Sequence, residues 1–75
     1  MAVRNEDLIK AKKLITKALK IEKNNGFFLD TLGWIQFKLN DVDKAVRTIQ
    51  HAIELEPDNS EIIDHLGDIL SLIHI

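Results

Sequence analysis

The stretch from Gly26 to Asn59 reads GFFLDTLGWIQFKLNDVDKAVRTIQHAIELEPDN, and it decides the fold. It divides into two helical segments, Phe27 to Leu39 and Val42 to Leu55, joined at Asn40-Asp41 and closed by Pro57. Laid on itself with a shift of 34, the sequence matches Leu32-Gly33 with Leu66-Gly67, Asp30 with Asp64 and Asn25 with Asn59. Upstream, Asp7 falls on Asp41, Lys10 on Lys44, Ala11 on Ala45, Ile15 on Ile49, Ala18 on Ala52 and Glu22 on Glu56. That is far more agreement than composition alone would give. A fixed period of this size marks a stack of repeated supersecondary units.

Working outward, the spacing predicts four helices, at about 7–22, 27–39, 42–55 and 60–73. In the first, Leu8, Ala11, Leu14, Ile15, Ala18 and Leu19 recur at helical spacing with lysines between them, and Asp7 stands at the N-cap position. Asn40 suits the left-handed turn that ends the second helix, and Asp41 is placed to cap the third. The third should bury Val42, Ala45, Val46, Ile49, Ala52, Ile53 and Leu55. Pro57 stops it, and Asp58-Asn59-Ser60 supplies a cap for the fourth.

The second helix is apolar nearly all round. At about 100° per residue, Phe28, Leu29, Leu32, Ile35, Gln36 and Leu39 share one arc, with Gly33 at its margin. Phe27, Asp30, Thr31, Trp34, Phe37 and Lys38 share the other. A helix of this kind must be covered on both sides or expose a binding surface. In the fourth helix Ile62, Ile63, Leu66, Ile69, Leu70 and Ile73 take the core arc, while Glu61, Asp64, His65, Asp68 and Ser71 take the outer one.

Composition narrows the function. A chain of 75 residues with 45% hydrophobic and 29% charged residues fits one small domain with a thin core. A net charge of −2 gives no field to hold nucleic acid, and Lys10, Lys12, Lys13, Lys17 and Lys20 read as one solvated helix face. With no cysteine there is neither a disulfide nor a thiolate metal site. No apolar run is long enough for a membrane span, and the charged opening Met-Ala-Val-Arg-Asn-Glu-Asp does not read as a signal peptide. His51, His65 and His74 are spread over different places and read as partly exposed surface residues, not zinc ligands. No phosphate loop, nucleophile turn or paired acid–base constellation appears, so neither an active site nor a cofactor is expected.

A helix-turn-helix unit of this period, with Leu32-Gly33, Ala45, Ile49, Ala52 and Pro57 at these spacings, resembles the tetratricopeptide repeat. The resemblance implies an all-α solenoid of antiparallel helices. Residues 26–59 would be one complete repeat, residues 1–25 the second half of a preceding one, and residues 60–75 the first half of a following one. The departures are Leu29 at the usual Trp, Gln36 at the usual Tyr, Ile49 at the usual Phe, and Lys23 where the first copy would carry Pro. The closing hexapeptide Leu-Ser-Leu-Ile-His-Ile at 70–75 also looks like a translated transposon-end adapter of sequencing libraries. It is therefore expected to be partly or wholly foreign, and the repeat frame is expected to continue beyond both ends.

In this family the first helices of successive repeats line a concave groove that resembles the ligand surface of many members. Carried over, the groove would present Phe27, Asp30, Trp34, Phe37 and Lys38, then Glu61, Asp64, His65 and Asp68. The alternative cover for Phe27, Trp34 and Phe37 is a helix preceding residue 6. The family's carboxylate-gripping version uses Lys, Arg and Asn in the groove, whereas acids stand there in this chain. The expected partner is another protein or peptide, apolar with basic flanks, held by aromatic anchors and complementary charge. The second reading is an accessory repeat region of a larger enzyme or envelope-assembly protein; a third is a purely structural stretch buried on all faces. With four helices and no polar cap, the chain is expected to be marginally stable or to self-associate through its first and last helices.

Overall fold

A computed structural model describes residues 5–73 as four α-helices with no strand among the described residues. They are α1 (Asn5–Ile21), α2 (Gly26–Lys38), α3 (Val42–Leu55) and α4 (Ser60–Ile73). Short turns separate them, so chain neighbours run antiparallel. The expected α3 and α4 are matched residue for residue, and the boundaries of α1 and α2 fall within one or two residues of expectation.

The ends of the helices show why. Asn25 is extended and its Oδ1 accepts the backbone N–H of Phe28 at 3.1 Å, which starts α2 one residue earlier than expected. Asn40 has φ of 68°, the left-handed residue that ends α2. The N–H of Asp41 then bonds the carbonyl of Gln36 at 2.8 Å, and that of Asn40 the carbonyl of Phe37 at 3.0 Å, the paired closure of a Schellman turn. At the start of α4, Asn59 accepts from the N–H groups of Glu61 and Ile62, so within Asp58-Asn59-Ser60 it is the middle residue that caps.

Two expected caps are corrected. Asp7 lies inside the first turn of α1, where its charge favours the positive end of the helix but caps nothing. Asp41 occupies the N-cap position of α3 but makes no side-chain capping bond. Its φ of −88° and ψ of 63° differ from the extended backbone with which Asn25 caps α2.

The core sits where α2, α3 and α4 meet. Ala45, Ile49 and Ala52 of α3 are fully buried, as are Ile62 and Ile69 of α4. Gly33 allows the close approach: a Cβ there would overlap Ile49 Cγ1 and stand 2.8 Å from Ile49 Cδ1. Among the described residues Gln36 is the one buried polar residue, and its Oε1 accepts the Thr48 hydroxyl at 2.7 Å, so its burial leaves no side-chain acceptor stranded. Helix α1 packs on α2 alone, through a face that includes buried Leu8, while α4 packs on α3 and more lightly on α2. Several apolar residues assigned to helical faces stay open: Leu14 on α1, and Ile63, Leu70 and Ile73 on α4.

Candidate functional site

One helix period explains which side chains meet. Asp30, Trp34 and Phe37 lie three or four residues apart on α2 and so project from one face. Helix α4 runs beside that face and delivers His65 to it. The imidazole Nδ1 lies 2.9 Å from Asp30 Oδ1 and 2.8 Å from Oδ2. Both neighbours are acceptors, so Nδ1 must carry the proton and donate it. The side chains are 24% and 14% exposed, so the bond is partly shielded from water and ties α4 to α2.

Trp34 sits between this pair and Phe37. Its ring meets the imidazole edge-on, with centroids 5.4 Å apart at 75°, and meets Phe37 at 5.9 Å and 79°. Trp34 and Phe37 also pack on the cluster of Ile49, Ala52, Ile62 and Ile69. This corrects the sequence reading, which placed both aromatics away from the core. The cause is α4: Ile62 and Ile69 extend the core past α3 and round to the second side of α2. His65 is partly exposed, as expected, and its bond to Asp30 is what the sequence did not disclose.

The remaining candidates are not gathered into this cluster. Phe27 is 56% exposed and stands at the end of α2, where the α1–α2 and α3–α4 turns come together. There it lines an open depression of about 420 Å³ with Glu22, Asn24, Asn25 and Glu56, a place with two carboxylates beside an aromatic ring. Lys38 is exposed in the last turn of α2. Glu61, Asp64 and Asp68 are exposed along α4, and none takes part in an ion pair among the described residues.

The structure thus joins Asp30, Trp34, Phe37 and His65 directly, leaves an acidic strip beside them on α4, and sets Phe27 apart with two further acids. Glu22 and Glu56, missed as site residues, had a signal available: they are one repeat apart and close the same turn in successive copies. This arrangement can hold an apolar or cationic group against ring faces and carboxylates. Among the described residues no group of three or more His, Asp or Glu converges on one point, and no helix is long and apolar enough to cross a membrane.

Compared with protein families, residues 26–59 match the model described as tetratricopeptide repeat. No curated protein and no solved structure matches the chain.

Proposed function

Through residues 26–59 this chain belongs to the tetratricopeptide repeat family, and on that premise we propose that its α2–α4 face holds a partner polypeptide that is apolar with basic flanks. Repeats of this family serve generally as protein–protein interaction modules and are typically non-catalytic scaffolds. The observation that carries the finer reading is the acidic strip of Glu61, Asp64 and Asp68, exposed and in no ion pair among the described residues, on the helix that brings His65 to Trp34. Unpaired carboxylates beside an aromatic cluster favour a cationic partner by complementarity and disfavour an acidic one by repulsion. Phe27, with Glu22 and Glu56, offers a second place of the same chemistry, suited to a basic side chain laid over a ring. Lys38, at the far end of α2, is the one lysine or arginine among the proposed contacts.

Trp34 is the chain's single tryptophan, so its fluorescence reports binding directly. Peptides sharing one apolar centre, flanked either by lysines or by glutamates, should separate: the lysine-flanked set quenches or shifts Trp34 at lower concentration. Tighter binding of the glutamate-flanked set would overturn the reading, as would unchanged affinity in Asp64→Lys and Asp68→Lys.

A further inference from the structure

The bond between His65 and Asp30 leaves one ring nitrogen unused. A neutral imidazole carries a single proton, and Nδ1 gives that proton to Asp30, so Nε2 is an acceptor. Among the described residues Nε2 has no hydrogen-bond partner, and no buried side-chain nitrogen or oxygen lacks one, so Nε2 opens to solvent. Asp30 and the edge-on contact with Trp34 hold the ring in this orientation. The carboxylates of Glu61, Asp64 and Asp68 are exposed beside it and bonded to nothing among the described residues. They attract a cation without fixing where it lies. Nε2 is the acceptor of this face that is already held in place, and a held acceptor binds with less ordering cost than a mobile one.

We propose that Nε2 of His65 accepts a hydrogen bond from an ammonium or guanidinium group of the partner's basic flank, and that protonation of this imidazole releases the partner. The inference rests on the α2–α4 face being the site of an apolar partner with basic flanks, and it names the atom that fixes the partner there. The sign follows from charge and from hydrogen bonding alike. With the imidazole neutral, the Asp30–His65 pair carries one net negative charge; protonated, it carries none. Nε2 then bears an N–H that points at the partner's own N–H donors. Both changes act against a cationic partner. Imidazole ordinarily changes charge between about pH 5 and 8, a range in which lysines and carboxylates ordinarily keep theirs. The charged groups near the ring are Asp30 from α2 and Glu61, Asp64 and Asp68 from α4 itself. On α3 the charged side chains Asp43, Lys44, Arg47, His51 and Glu54 are exposed and none is bonded to the ring; His51 lies 3.7 Å from Glu54 instead.

Affinity for the lysine-flanked peptide is read by anisotropy of a dye on the peptide, because Trp34 touches the titrating ring and its emission follows pH by itself. The affinity of the parent chain should fall about tenfold between about pH 7.5 and pH 5.5. Two variants carry no titrating group at this place. His65→Gln sets an amide oxygen near the position of Nε2, whereas His65→Asn keeps an amide N–H toward Asp30 and has nothing where Nε2 stood. Both should bind equally at the two pH values, with His65→Asn about tenfold weaker than the parent at the higher one. His51→Gln should keep the parent's fall. A second measurement needs no variant: imidazole nitrogen resonances of the parent at about pH 7.5 should show His65 protonated at Nδ1, and added peptide should shift its Nε2 signal. Equal affinity of the parent at both pH values overturns the proposal. So does a fall that persists in folded His65→Gln and His65→Asn or vanishes in His51→Gln, or an Nε2 signal that stays put while peptide binds. If the parent binds no lysine-flanked peptide at either pH, the reading of the whole face fails and this one with it, a result distinct from binding without pH dependence.

Discussion

His65 donates its Nδ1 proton into the fork of the Asp30 carboxylate, at 2.9 and 2.8 Å, and so fixes α4 to α2. Removing either partner strands the other in a half-buried place. A hydrogen bond to a charged group contributes about 1.5–3 kcal/mol net, and solvent access here favours the lower end. His65→Ala and Asp30→Ala should each lower stability by about 1–2 kcal/mol, read from the urea midpoint with an unchanged slope. The double variant should cost clearly less than the sum of the two. Strict additivity would mean the contact contributes nothing.

The two repeated glycines should respond to alanine with opposite signs. Gly33→Ala drives a methyl group into Ile49, and overpacking of that kind costs about 1–3 kcal/mol. Gly67→Ala meets open space on an exposed helix and should add about 0.5–1 kcal/mol through helix propensity alone. Thermal melts at one low concentration, where self-association is suppressed, check the pair. Equal shifts in the same direction would show that Ile49 does not pack as described.

These contrasts mark what the sequence could and could not disclose. Helical periodicity and the 34-residue shift carry the four helices and the left-handed Asn40, because each is set by residues close in the chain or by the repeat itself. Ile35 and Ile69, one repeat apart, are both buried on the same grounds. The meeting of Asp30 with His65 is different. It depends on how far α4 slides along α2, and no pattern within either helix encodes that offset. For the same reason Trp34 and Phe37 read as solvent-side residues until Ile62 and Ile69 are seen to pack against them. Asp41 failed as a cap because residue type alone does not set the backbone angles at the turn.

Gln36 and Thr48 are expected to behave as a unit. The amide oxygen is buried, so Thr48→Val leaves it with no partner and should cost about 1–3 kcal/mol. Changing both, Gln36→Leu with Thr48→Val, replaces a satisfied polar pair with an apolar one of similar shape and should be close to neutral. Denaturation of the two single variants and the double closes the cycle. A double variant as weak as Thr48→Val alone would mean the loss comes from packing and not from the stranded oxygen.

Trp34 and Phe27 separate anchoring from folding. Trp34 is part of the packed face between α2 and α4, so Trp34→Ala should weaken the fold by about 2–4 kcal/mol and peptide binding with it. Phe27 is more than half exposed and packs on none of the core cluster, so Phe27→Ala should change stability by no more than about 0.5 kcal/mol. If the depression it lines with Glu22 and Glu56 receives a basic side chain, the same substitution should cut the affinity for lysine-flanked peptide by about tenfold. Binding is read by Trp34 fluorescence in the Phe27 variant and by calorimetry in the Trp34 variant. A loss confined to Trp34→Ala, at a temperature where that variant keeps its helical circular dichroism, would place the partner wholly on the Asp30–His65 side. A loss confined to Phe27→Ala would place it at the turns. Losses in both, with Phe27→Ala still fully folded, require one peptide that spans the length of α2.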